Sequence, residues 1–345
     1  MKDRRQPASE RASAQREAQH EQDRGRGARR PGEIPRKGWW DIAVRVKNEM
    51  VEDHLSIVAA GVALYAFLAI FPALAAMVSL YGLVTDPADL QRHMKSIEGV
   101  MPSGAAGIVN SELERIAKGQ SSTLGWSLVA GILIALWSAS KGMKGMFESL
   151  NITYDEDEKR GFLKLNGMAI LLTLGAILFV MFFLALIVGV PALLATIQMG
   201  EIAQQVINYL RWPLLALGVM AALAVLYRYG PSRETVQWKW VSWGAVFATV
   251  IWLAGSFLFS FYVSNFGNYN ATYGSIGVIV ILITWFLLGA YAVLLGAEIN
   301  AEMEHQTAQD TTSDESQPMG RRGAYVADTV GETSGERGRR KRAGG

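Results

Sequence analysis

The chain has 345 residues, half of them apolar, with 64 charged side chains, 35 glycines, no cysteine and a mean hydropathy of +0.18. Residues 1–38 and 303–345 hold 31 of the charges, and the 264 residues between them hold only 33, about one in eight where soluble domains run near one in four. This excludes a soluble enzyme and a disordered or fibrous protein. Without cysteine there is no disulfide or thiolate chemistry, and four scattered histidines (His20, His54, His93, His305) do not make a metal cluster. A net charge of +2 gives no nucleic-acid-binding body.

The N-terminal arm, residues 1–38, carries a net charge of +5, has no apolar core of the kind a signal peptide needs, and reads as disordered. Residues 39–51 place Trp39, Ile42, Val46 and Met50 at helical spacing beside Arg45 and Lys47, a pattern suited to a helix lying in the headgroup layer. Charge-free runs then mark the spans, because an ionised side chain at bilayer depth costs several kcal/mol and a helix needs ~20 apolar residues to cross. Six helices are expected, at about 55–84, 122–140, 165–198, 212–228, 241–263 and 274–298. The long clean run Trp240–Ala297 holds two of them, divided by the polar stretch from Ser264 to Asn270.

Between the first two spans, Asp86-Pro87 caps a stretch with Leu90, Met94, Ile97 and Met101 at helical spacing, and a second follows Pro102-Ser103. Two short amphipathic outer helices are expected here, with a solvated loop as the plainer alternative. Residues 303–345 lack periodicity and read as a disordered tail. Its terminal run Arg339-Arg340-Lys341-Arg342 is either solvated or in contact with anionic lipid.

Orientation follows from the connecting segments. The arm to residue 54, segments 141–164 and 228–239 and the tail hold 28 Lys and Arg, and the three alternate segments hold 5. The positive-inside bias places both termini in the cytoplasm, on the same side as six spans require. The expected architecture is therefore all-α: a polytopic membrane protein with a six-helix transmembrane domain over 39–302, flanked by disordered cytoplasmic segments.

Within the spans, Pro72 and Pro191 are candidate helix breaks, which either line a pathway or merely kink the chain. Ala59 and Ala63, Ser256 and Ser260, and Gly289 and Gly296 read as packing faces. At the inner side, Lys141, Lys144 and Glu148 share a helix face, Arg228 and Arg233 flank the end of the fourth span, and Glu298 closes the sixth. Glu298 follows a long apolar run and needs a cation, with Lys141 and Arg228 as candidates. These six residues form either a polar inner vestibule for an anionic headgroup or coupling ion, or an interfacial salt-bridge network that fixes helix ends. The outer loop offers Asn270, Tyr273 and Gly274, polar or small and uncharged.

Five separated motifs carry a resemblance. They are Tyr65 through Pro72; Trp137 through Gly142 followed by Leu150-Asn151-Ile152-Thr153-Tyr154; Tyr227 through Arg233; Tyr269 through Ser275; and Leu295-Gly296-Ala297-Glu298. In this order over residues 39–302 they resemble the YihY/virulence factor BrkB family of bacterial inner-membrane proteins. The resemblance implies a multi-pass protein of the bacterial cytoplasmic membrane whose activity is poorly defined and which carries an old ribonuclease label; no cofactor is expected. The residues give that label no support: the acidic run Asp155-Glu156-Asp157-Glu158 sits in one short loop, where consecutive side chains diverge. The expected function is translocation of a lipid or small anionic solute, with a non-transporting envelope scaffold as the alternative. Expected partners are membrane lipids, envelope proteins or a second copy of the chain, and no nucleic acid.

Overall fold

The computed structural model describes residues 22–82, 124–189, 201–266, 275–312 and 316–333. Among them the secondary structure is helical: α1 (Arg36–Glu52), α2 (Leu55–Gly82), α3 (Leu124–Thr153), α4 (Phe162–Leu184), α5 (Glu201–Tyr229), α6 (Trp238–Phe266), α7 (Ser275–Gln306) and the single turn α8 (Tyr325–Asp328). Pro191, the outer-loop residues Asn270, Tyr273 and Gly274, and the two amphipathic helices expected between residues 86 and 118 lie outside the described residues.

Five of the described helices (α2, α4, α5, α6 and α7) are long and apolar enough to cross a bilayer. Only 11–17 % of the most apolar stretch of each is buried within the protein, so most of that surface is left for hydrocarbon to cover. Helix α3 occupies the place of the second expected span and packs between α2 and α4. The chain is an all-α polytopic membrane protein.

The helices outrun the charge-free stretches. Helix α5 begins at Glu201 rather than near residue 212, and α7 continues through Gln306 rather than stopping at Glu298. Charges limit hydrocarbon depth, not helix length, and a helix can extend into the headgroups where its polar side chains find partners. Arg211 does so at the far end of α5, donating to the Ile187 carbonyl (3.4 Å) with its guanidinium over Trp212. Helix α2 runs unbroken through Pro72, and α5 likewise contains Pro213. Helix α4 passes directly into a π-helical turn at Ala185–Gly189.

Close approaches hold the bundle together. Ala59 and Ala63 are fully buried, Trp285 Nε1 donates to Ser256 Oγ (3.2 Å), and Ser260 is exposed. At Gly296 a Cβ would sit 2.5 Å from the Tyr227 hydroxyl and 2.7 Å from Ala248 Cβ, so only glycine lets α7 meet α5 and α6 this closely. Tyr227 uses that space to donate to the Val293 carbonyl (2.7 Å).

Two expectations about the flanks change. Helix α1 is present, but Ile42 and Val46 face the protein core and Trp39 stacks near Trp243 and Phe247. Asp41 and Arg45 are buried with them, so this stripe is a packing face rather than a lipid-facing one. The described parts of both terminal segments are also ordered, contrary to the disorder expected from their composition. Arg26 donates to the carbonyls of Gln306 and Gly331, the Ala308 N–H returns to the Arg26 carbonyl, and Thr307 Oγ1 donates to Ala28 O. Arg322 reaches the carbonyls of Ala308, Gln309, Gln317 and Ala327. Guanidiniums binding backbone carbonyls order these polar stretches, together with Ala28, Ile34 and Val326 packed into the core, and composition alone does not register that. Both segments meet at one end of the bundle, the charged end.

Candidate functional site

The six inner-side candidates do not converge on one another. Lys144 donates to Asn166 Oδ1 (2.9 Å) on α4 and lies over the Trp137 ring, while Lys141 and Glu148 are exposed. Arg228 donates to the Val236 carbonyl and lies against the rings of Trp238 and Tyr229. Arg233 makes a two-toothed ion pair with Glu304, Nη2–Oε1 2.8 Å and Nη1–Oε2 3.1 Å, and lies 4.1 Å over the Tyr154 ring. Both partners of that pair are almost wholly buried, and Glu304 also accepts from Thr311 Oγ1 (2.8 Å).

Glu298 therefore does not meet Lys141 or Arg228, the cations expected for it. Its side chain is buried, Oε1 finds no N–H or O–H donor, and the group against it is the carboxyl of Asp53. Asp53 closes α1, its N–H bonded to the Glu49 carbonyl (2.8 Å). His54 follows in the left-handed conformation (φ 50°) and turns the chain into α2. That two-residue corner presses Asp53 onto α7. Two ionised carboxyls are acceptors only, so a hydrogen bond between these facing groups requires a proton on one of them. Burial raises Asp53 from 3.8 to about 6, helped by Asp155 and Glu52 and opposed by the hydrogen bond to Glu298.

The surroundings are ordered by further buried polar contacts. Arg45 pairs with Glu302, one turn beyond Glu298, and also donates to the carbonyls of Glu302 (3.0 Å) and Glu332 (3.2 Å). Asn300 Oδ1 accepts the Gly244 N–H (2.8 Å), locking α7 to α6. Asn151 Oδ1 accepts the Ser232 N–H (2.7 Å), and Ser232 Oγ accepts the Lys159 N–H (2.8 Å). Tyr154 is wholly buried beside Asn300, and burial pushes its pKa up.

The acidic loop diverges. Glu156 accepts the Tyr325 N–H (2.7 Å) and pairs with Lys159, Glu158 turns to Arg160 and Asn151, and Asp155 adopts φ 53°. Desolvation would raise Glu158, but the Arg160 and Asn151 hydrogen bonds prevail and hold its carboxyl at about 2. Among the described residues, no three His, Asp or Glu side chains are grouped to hold a metal ion.

Four of the five motifs that carry the family resemblance thus meet one another in pairs. Tyr65 packs on Gly142 and Gly145, Asn151 on Ser232, and Tyr227 on Gly296. The virulence factor BrkB family model matches residues 46–320, which takes in every helix from α2 to α7 and the C-terminal part of α1. The chain belongs to the BrkB family. Among its curated relatives, the ribonuclease-like protein YfkH of Bacillus subtilis is 36 % identical over 246 residues, covering 70 % of this chain and 87 % of that one. A UPF0761 membrane protein of Idiomarina loihiensis is 26 % identical over 172 residues, 48 % of this chain and 58 % of the relative. Another, of Pseudoalteromonas translucida, is 34 % identical over 99 residues, 28 % and 33 % of the two chains. No solved structure matches.

Sequence reasoning picked out Glu298, Arg233 and Arg228 but missed Asp53, Arg45, Glu302, Glu304 and Tyr154. A signal was available for some. Glu298 and Glu302 are four apart on one helix, and Arg45 follows Asp41 by the same interval on the stripe that holds Ile42. Asp53, two residues before a 31-residue charge-free run, had only its position to recommend it.

Proposed function

We propose that this BrkB-family protein moves a lipid or a small anionic solute across the bacterial cytoplasmic membrane in envelope maintenance, with its charged end facing the cytoplasm. One observation carries the reading: Glu298 is buried in an apolar bundle without a cation, while Arg45, Arg228 and Arg233 are each committed elsewhere. An ionisable group kept at the base of a membrane bundle without structural pairing is costly to fold around, and such groups mark pathways and coupling sites. The salt bridges of Arg233–Glu304 and Arg45–Glu302 anchor helix ends; the acid pair anchors nothing that an amide would not anchor better.

The 28-to-5 bias of Lys and Arg supports the orientation. The ribonuclease-like wording of the YfkH name finds no converging acid, histidine or metal set here, so nuclease chemistry is not part of the proposal. A scaffold role has one observation in its favour: the ordered terminal segments form a polar cap that offers a docking surface at the charged end.

Reconstitution in liposomes separates the two. Purified protein should accelerate the flipping of a labelled phospholipid or the flux of a small anion, and Glu298→Gln should reduce that rate at least tenfold while leaving the protein folded. Flux equal to that of empty liposomes for every cargo removes the transport reading.

A further inference from the structure

Asp53, a half-buried carboxyl at the α1–α2 corner, faces the fully buried carboxyl of Glu298 on α7, whose Oε1 has no hydrogen-bond partner. Their chemistry is restrictive. Glu298 Oε1 has no donor, and the charged groups that face it are the acids Asp53, Glu302 and Glu49. Asp53 in turn faces Asp155, Glu52 and the imidazole of His54. The cations in reach are already engaged: Arg45 pairs with Glu302, and His305 lies 3.7 Å from the same carboxyl while its other ring nitrogen meets Thr329 (2.9 Å). Tyr154, wholly buried in the same interior, lies within the field of Arg233, Glu304 and Glu298. Two adjacent carboxylates in so acidic and dry a setting cannot both carry charge.

We propose that Asp53 and Glu298 form a proton-binding site: a single proton is held between the two carboxyls, and Asp53 passes it to and from solution at the charged end. The geometry divides the labour. Asp53 sits on a rigid corner with one side toward water, so it exchanges protons quickly. Glu298, a helical turn inward from Glu302, keeps the proton inside the bundle. Loss of the proton leaves two facing negative charges, which drives the α1–α2 corner away from α7. Proton binding at this pair thus sets the spacing of α1 and α7. The proposal deepens the transport reading, since a proton at this place is what would couple to cargo, but the site itself does not require that cargo moves.

Infrared difference spectroscopy on the purified full-length protein tests it without a flux assay. At pH 7.5 in potassium buffer, the wild-type protein should show the carbonyl band of a protonated carboxyl, and the band should shift within minutes of transfer to D2O. Glu298→Gln should abolish the band. Asp53→Asn should abolish it too, because the new amide donates to an ionised Glu298. Thermal unfolding confirms that each variant is folded, and either one alone suffices if the other fails to fold. Absence of the band from wild-type protein, or its survival in a folded variant, overturns the proposal. Loss of the band when sodium replaces potassium also overturns it, in favour of a metal-cation site. A band without flux of any cargo leaves the proton site standing and removes only the transport reading.

Discussion

Replacing Arg233 by methionine measures how much of the charged end is architecture. Arg233 and Glu304 are both almost wholly buried and joined by two hydrogen bonds of 2.8 and 3.1 Å. Methionine fills most of the volume but leaves the Glu304 carboxylate buried with a single neutral donor, Thr311 Oγ1. Removing one partner of a buried pair costs about 3–5 kcal/mol, chiefly because the remaining charge is uncompensated. Replacing both members removes that penalty, so Arg233→Met combined with Glu304→Gln should be more stable than the sum of the single changes by about 2–3 kcal/mol. The assay is a double-mutant cycle read by denaturant titration in mixed micelles, with helix content as the signal. A single-variant cost below ~1 kcal/mol, or additivity within ~0.5 kcal/mol, would show that the pair is solvated and that the buried network does not exist as described.

Three further outcomes are expected. Gly296→Leu should lower stability by about 2–3 kcal/mol, because its Cβ would strike Tyr227 Oη and Ala248, whereas Gly61→Leu, with open space around it, should change stability little. Near-neutral behaviour at position 296 would refute the close crossing of α5, α6 and α7. Truncation after Gln306 takes away the acceptors of Arg26 and Arg45 at Gly331 and Glu332 and the Thr311 donor to Glu304, at about 1 kcal/mol each. The truncated protein should unfold at a lower denaturant concentration, and an unchanged midpoint would mean that the terminal cap adds nothing. For pH, Asp53 is raised from 3.8 to about 6, so the folded state binds more protons than the unfolded one between those values. Stability should therefore fall as pH rises from about 4 to about 6, and Asp53→Asn should flatten that slope; a slope unchanged in the variant assigns it elsewhere.

Much of the bundle was readable from charge spacing, since the absence of ionised side chains over runs such as Leu55–Thr85 follows directly from the cost of burying them in hydrocarbon. The same rule misplaced the helix ends. It treats Glu298 as a boundary, whereas α7 continues for two turns because Arg45 and Arg233 from distant parts of the chain neutralise Glu302 and Glu304. The partners of a buried charge are a tertiary fact. Lys141 and Arg228 look as suitable for Glu298 as any cation in the sequence, yet Lys141 is exposed and Arg228 goes to the Val236 carbonyl. The terminal segments were misread for a related reason. Their glycines, arginines and acids have the composition of a solvated chain, and only the carbonyls presented by α7 and by residues 308–331 give Arg26 and Arg322 something to bind. Small residues fared better, because Ala59, Ala63 and Gly296 can serve little purpose in a span other than close contact.

Since the chain has no cysteine, single-cysteine variants read the membrane arrangement without background. Asp23→Cys, exposed at the charged end, and Asn265→Cys, exposed at the opposite end of α6, can be labelled in intact cells with a membrane-impermeant maleimide. Asn265→Cys should react at once, and Asp23→Cys only after the membrane is permeabilised. Labelling of Asp23→Cys in intact cells would contradict the placement of the charged end, its ordered cap and the Asp53–Glu298 pair at the cytoplasmic face.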